Sequence, residues 1–109
     1  MDELDDVFKA LADPTRRAIL DLLRERPRRT TELVEAFPRL SRFGVMKHLD
    51  VLKGCGLVIA KRQGREVINR LNAVPLRQVY ERWVSRFEGA WAHELLQIRE
   101  LAEEEGTGA

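Results

Sequence analysis

The amino-acid sequence predicts a mainly α chain with one small β-hairpin, in the order helix-helix-helix-helix-strand-strand-helix, and three observations lead there. Behind Ser41, the stretch SRFGVMKHLDVLKGCGLV repeats apolar Val45, Leu49 and Leu52 on one helical face. Directly after it, IAKRQGREVINRL is rich in Val and Ile with partial alternation about a polar, glycine-containing turn, the pattern of two paired strands. From Leu76 onward, apolar residues recur every three or four positions and specify a long amphipathic helix.

Each element has a local signal. Leu4, Val7, Phe8 and Leu11 fall at helical spacing and make a first short helix. Asp13-Pro14 puts a side-chain acceptor at the cap and a proline at the first helical position, so a second helix starts there. It buries Ile19, Leu22 and Leu23 and ends near Pro27. Thr30 or Thr31 caps a third helix over residues 32–37, which Pro38 closes. Only residues 38–40 separate it from the fourth helix, a connection short enough for a helix-turn-helix pair. Gly54 and Gly56 break the fourth helix, and strands at 57–61 and 66–71 flank the turn Arg62-Gln63-Gly64-Arg65. A helix-turn-helix followed by such a hairpin is a winged helix-turn-helix.

The charge pattern points to a partner. Arg42, Phe43, Met46, Lys47, Asp50 and Lys53 lie off the apolar face of the fourth helix, and most are long or cationic, as side chains that meet base edges and phosphates are. Arg62 and Arg65 flank the hairpin tip, where cations suit the DNA backbone or a narrow minor groove. Over the whole chain 19 basic and 18 acidic residues nearly cancel, so net charge by itself names no polyanion. Locally the balance differs. Residues 41–71 hold seven Lys or Arg against Asp50 and Glu66, a net of +5, whereas residues 72–109 hold four Arg against seven Glu, a net of −3. A segment that grips DNA and a tail that stays off it require this asymmetry, whereas a merely solvated charged surface does not.

The predicted last helix carries Leu76, Val79, Tyr80, Trp83, Phe87, Trp91, Leu95, Ile98 and Ala102 as a continuous stripe of about seven turns, more than a small domain's core can cover. Both tryptophans and the only tyrosine lie on it. Such a stripe is expected to meet a second copy of the chain, with Leu4 and Phe8 of the first helix at the same interface, rather than to fold back wholly on its own domain. The plan is therefore one domain over 1–109, with a DNA-binding core at 12–71, dimerisation helices at 1–11 and 74–102, and a flexible tail at 103–109.

Other classes find little support. No apolar run approaches the ~20 residues of a membrane span, and MDELDDVFKALADPTRR is acidic where a signal peptide is basic and then apolar, so a cytoplasmic protein without membrane contact is expected. Cys55 is the single cysteine, which excludes an internal disulfide framework and suits a reducing compartment. The Ser, Thr, His and Cys residues form no nucleophile-base pattern, and there is no glycine-rich phosphate loop or HExxH motif; neither enzyme activity nor a cofactor is expected.

LADPTRRAILDLL, the SRFGVMKHLDVLKGCGLV block, the RQGRE turn and LNAVPLRQVYERW, in this order, resemble the ArsR family of small bacterial regulators over nearly the whole chain. The resemblance implies a dimeric winged helix-turn-helix protein that occupies an operator with partial two-fold symmetry and usually represses transcription. Many members release DNA on binding an inducer, whose identity the sequence does not name. The candidate DNA-binding residues are Ser41, Arg42, Phe43, Met46, Lys47 and His48 on the recognition helix, with Arg62, Gln63, Gly64 and Arg65 on the wing. Metal-sensing members carry a cysteine pair in the third helix, or carboxylate and histidine ligands on the last. Here the third helix has no cysteine and the last offers only His93 and Glu94, so no metal site is expected and the chain resembles the branch without such motifs.

Two residues admit alternative readings. His48 either donates to a phosphate, in which case affinity falls between about pH 6 and 7.5 as the imidazolium is lost, or packs near the junction of helix and wing. Cys55 is either a small buried residue at a turn, the favoured reading because no cationic residue adjoins it in sequence, or a thiol whose oxidation disturbs that turn. The whole module could also serve as a protein-interaction winged helix without sequence-specific DNA binding, against which the basic tip argues, or as a metal- or redox-sensing repressor.

Overall fold

The computed structural model describes residues 3–87 and 91–107. Helix α1 (Glu3–Leu11) turns Leu4, Val7 and Ala10 inward. Helix α2 (Pro14–Glu25) starts where the cap signal places it: the Asp13 carboxylate accepts from the backbone N–H of Thr15 at 2.8 Å and of Arg16 at 3.1 Å, satisfying two donors that a helix start leaves open. Its buried residues are Ile19, Leu20 and Leu23, so Leu20 takes the place expected for Leu22.

A two-residue strand, β1 (Arg28–Arg29), follows, where the sequence reading foresaw only a connection. Helix α3 (Thr30–Ala36) begins earlier than expected, with Arg29 rather than Thr30 or Thr31 at its cap. Thr30 is buried and its hydroxyl accepts from Asn69 Nδ2 at 3.0 Å, while the Glu32 carboxylate takes the backbone N–H of Arg29 at 3.3 Å.

Helix α4 (Arg42–Gly54) is capped by Ser41, whose hydroxyl accepts from Gly44 N–H at 3.0 Å. Its end is set by Gly56, at φ +84°, and not by Gly54. The N–H of Leu57 reaches Leu52 O at 3.0 Å and that of Gly56 reaches Lys53 O at 3.1 Å, while Leu52 and Leu57 are both fully buried. These are the paired bonds and apolar contact of a Schellman stop, which needs a left-handed residue at the glycine. Strands β2 (Val58–Gln63) and β3 (Glu66–Leu71) then pair antiparallel, with Gln63 opposite Glu66 across a two-residue turn. Gly64, at φ +64°, occupies the first turn position, where a tight hairpin demands positive φ. The sheet order is β1-β3-β2, with Arg28 opposite the buried Asn69.

The chain divides into two compact units, residues 1–77 and 78–109. All the buried apolar residues described lie in the first, among them Val7, Ile19, Leu33, Val45, Leu49, Leu52 and Leu57. Each such side chain contributes roughly 1.5 to 3 kcal/mol on burial. Helix α5 (Val74–Val79) passes into a π-helical turn at Tyr80–Val84 and a 3-10 turn at Ser85–Phe87, and α6 spans Trp91–Thr107. The expected uninterrupted helix is thus not regular: the Ser85 hydroxyl donates to Glu81 O at 2.7 Å, a side-chain competitor for a helix carbonyl that bends helices. Helix α6 also continues past residue 102, through Thr107. Among the described residues no helix is long and apolar enough to cross a membrane.

Candidate nucleic-acid interface

The buried face of α4 leaves its other side chains pointing in three directions. Phe43 is 69% exposed, and one turn on the Lys47 ammonium sits 4.9 Å from its ring centre, so an aromatic and a cation form one outward unit. Arg42 and Met46, also one turn apart, line a cleft of about 250 Å³ with Lys53 of α4, Arg62, Arg65 and Glu66 of the hairpin, and Arg29 of β1. His48 goes a third way. Its Nδ1 lies 3.3 Å from Arg16 Nη1 and 4.0 Å from Asp13 Oδ1, at the start of α2. The structure therefore corrects its expected placement beside Arg42 and Lys47, because position 48 falls on the side of α4 that packs against α2.

The cleft joins reading helix and wing. Arg62 and Arg65 are exposed on either side of the tip formed by Gln63 and Gly64. Among the described residues Arg42, Arg62 and Arg65 have no carboxylate partner, whereas Lys53 is 3.3 Å from Asp50. Unpaired guanidinium groups gathered in one concavity create a strong local field for an anion.

The wing is anchored by residues that the sequence reading passed over. Arg29 Nη1 donates to Glu66 Oε1 at 2.9 Å and its Nε to Glu32 Oε1 at 3.0 Å, while Arg26 Nη2 donates to Glu32 Oε2 at 2.8 Å. Hydrogen bonds from Arg26, then Arg29, pull the Glu32 carboxyl down to about 2. The hydrogen bonds that Arg29 donates to Glu66, then to Glu32, raise its guanidinium above its ordinary value. In the sheet, Asn69 Nδ2 bonds both Arg28 O at 3.2 Å and Thr30 Oγ1 at 3.0 Å, fastening β3 to the start of α3. The basic run RPRR just before Thr-Thr-Glu was the available signal; its partner 37 residues away was not readable.

Partial burial pushes the Asp13 carboxyl up, but the backbone N–H groups of Arg16 and Thr15, then the attraction of His48 and of the Arg16 guanidinium, outweigh this and hold it below its ordinary value. Cys55 is only half-buried, its thiol donating to Leu52 O at 3.4 Å, and Lys9 of α1 lines the same open cavity. His93 Nε2 lies 3.1 Å from Gln97 Nε2 on the same helix.

The expected interface residues divide. Leu4 is 8% exposed and belongs to the core of its own chain, because α1 packs that edge inward; this corrects its expected place at the interface. Leu76 is half-buried. Phe8, Tyr80, Trp83, Phe87, Leu95 and Ile98 are exposed, as are Leu96 and Leu101, which the stripe did not include. The side chain of Trp91 lies outside the described residues.

Known proteins share this architecture. Residues 13–60 match the family model described as bacterial regulatory protein, arsR family. The chain is 41% identical over 88 residues to the uncharacterized HTH-type transcriptional regulator YuzN of Bacillus subtilis, covering 73% of this chain and 94% of that one. It is 33% identical over 84 residues to the transcriptional repressor SdpR of the same organism, covering 77% and 91% respectively. Among solved structures, an ArsR-like transcriptional regulator from Rhodococcus sp. RHA1 superposes with a TM-score of 0.71 at 35% identity, over 94% of this chain and 92% of that one. A homodimeric winged helix-turn-helix DNA-binding domain from Mycobacterium bovis, a possible ArsR-family regulator, does so with a TM-score of 0.63 at 28% identity, over 79% and 81%. With its recognition helix, wing and basic cleft, the chain belongs to the ArsR family of bacterial regulatory proteins and is a winged helix-turn-helix, DNA-binding transcriptional regulator.

Proposed function

We propose that this chain acts in the cytoplasm as a homodimeric repressor on an operator with partial two-fold symmetry. Each subunit seats α4 in one of two successive major grooves, about one helical turn apart, while the wings reach the flanking backbone. The observation that carries the reading is the cleft where Arg42 and Met46 of α4 meet Arg62 and Arg65 of the hairpin, with none of those arginines paired to a carboxylate among the described residues.

Arg42 and Lys47 supply base or phosphate contacts, and Phe43 and Met46 meet thymine methyl groups or the groove wall. Ser41 holds the start of the helix in register, with its hydroxyl on the Gly44 N–H. Arg62 and Arg65 grip phosphates at either side of Gln63 and Gly64. The dimer reading is supported by the exposed apolar residues Phe8, Tyr80, Trp83, Phe87, Leu95 and Ile98, and by the homodimeric state of the Mycobacterium bovis relative. Repression is supported by the similarity to SdpR. The reading assigns binding and no catalytic step, and no metal.

Footprinting of the purified protein on the DNA upstream of its own gene tests this. A protected inverted repeat, unchanged by a chelator, is the expected result. Protection that follows no sequence, with binding indifferent to Arg42→Ala and Lys47→Ala, would favour a protein-interaction module instead.

A further inference from the structure

We propose that Arg16 is a positioning residue that ties the recognition helix to the end of α1 through the ring of His48, and so sets the seat of α4 for DNA. The proposal rests on the DNA-binding reading above. Helix α1 ends at Leu11, and its last carbonyls look beyond it for donors: that of Lys9 accepts from the Ala12 N–H at 3.2 Å and that of Leu11 from Arg17 Nη1 at 2.6 Å, and Arg16 adds to this capping. One guanidinium takes two of them, Nε donating to Ala10 O at 2.9 Å and Nη2 to Lys9 O at 3.0 Å. The same group turns Nη1 to His48 Nδ1 on α4, at 3.3 Å. Its own backbone N–H is held by Asp13 at the start of α2, at 3.1 Å. A single side chain thus joins three helices.

The chemistry constrains the histidine. Arginine only donates and keeps its charge, so Nδ1 must be bare and the ring proton must lie on Nε2. A second proton would set donor against donor and cation against cation across 3.3 Å. The charged groups facing the ring are Arg16 and Asp13, the latter 4.0 Å away. Helix α1 meets this network through the backbone carbonyls of Lys9 and Ala10, while the side chains of Asp6 and Lys9 lie beside Val51, Gly54 and Cys55, further along α4. On α4 itself Lys47 is stacked over Phe43, and Glu32 of α3 is engaged by Arg26 and Arg29. Because α1 also carries the exposed Phe8, the link runs from the proposed dimer-facing helix to the reading helix.

The test is a double-mutant cycle in the full chain. Arg16→Lys keeps the charge but cannot reach three acceptors in a fixed fork, and it should weaken operator binding roughly three- to thirty-fold. His48→Leu should cost a similar factor, the double variant little more, and His48→Asn, which offers an oxygen near the place of Nδ1, should recover part of the loss. Additive losses, or no recovery in His48→Asn, would overturn the proposal. Should the Arg16 variants fail to fold, ring-nitrogen NMR of the wild-type protein decides: a proton on Nδ1 of the neutral ring sinks the link, and one on Nε2 sustains it. That measurement needs no DNA, so a wild-type protein that selected no duplex would defeat the DNA reading while leaving the Arg16 link to be judged separately.

Discussion

The unit spanning residues 1–77 and the unit beyond it are built on opposite terms. The first buries Val7, Ile19, Leu33, Val45, Leu49, Leu52 and Leu57 completely or nearly so and holds its wing with ion pairs and a buried asparagine. In the second, Tyr80, Trp83, Phe87, Leu95, Leu96, Ile98 and Leu101 are each more than a third exposed. Both stretches are apolar in sequence, so apolar content does not separate them; what does is whether the chain itself supplies the opposite face. The reading head completes its own core, whereas the tail presents an apolar surface of the kind that marks an interface.

That contrast can be broken or sharpened by substitution. The largest effect should come from Leu49→Ala, which opens the core beneath the recognition helix and should cost about 2 to 5 kcal/mol in a denaturant titration. A cost below ~1 kcal/mol would mean that the first unit is not a packed core. Next, Leu95→Asp with Ile98→Asp should weaken self-association by roughly a hundredfold or more in sedimentation. If the pair leaves the dimer intact, the exposed tail is not the interface.

Within the first unit, the reading helix and wing should themselves differ. Arg42→Ala should lose about 1 to 3 kcal/mol and relax preference at one operator position, whereas Arg62→Ala should weaken all sequences alike and reduce the salt slope by about 1. Identical behaviour of the two would erase that division of roles. The smallest effect concerns the wing anchor. The Glu32 carboxyl is pulled from 4.5 down to about 2, so its ion pairs are complete above the higher value, and the stability they add is lost as pH falls through the lower one. Carboxyl NMR should show Glu32 still ionised near pH 4, and a titration at its ordinary value would mean that the Arg26–Glu32–Arg29 contacts are not held in solution.

Much of the fold was legible because its signals are local. Asp13-Pro14, Ser41, Gly56 and Gly64 each act within a few residues, through a capping oxygen or a positive φ, and the structure places each at the start, stop or turn expected of it. The short strand β1 was not legible, since two residues carry no periodicity and acquire strand geometry only by pairing with Ile68 and Asn69. The irregular turns of the last helix were hidden for a related reason: apolar spacing ran smoothly through Ser85, and only the bond from its hydroxyl to Glu81 O shows the competition.

The candidate site divides in the same way. Periodicity alone placed Arg42, Phe43, Met46 and Lys47 off the buried face of α4, and hairpin chemistry placed Arg62 and Arg65 about its tip. Neither could say that Arg42 shares a cleft with the wing, that Arg29 steadies the hairpin through Glu66, or that His48 turns to Arg16. Helix starts, stops and apolar faces follow from neighbours three or four positions away, so the order of residues decides them. Pairings across 32 and 37 positions exist only once packing has brought distant helices and strands together, because hydrogen bonds and charges act over ångströms and not along the chain.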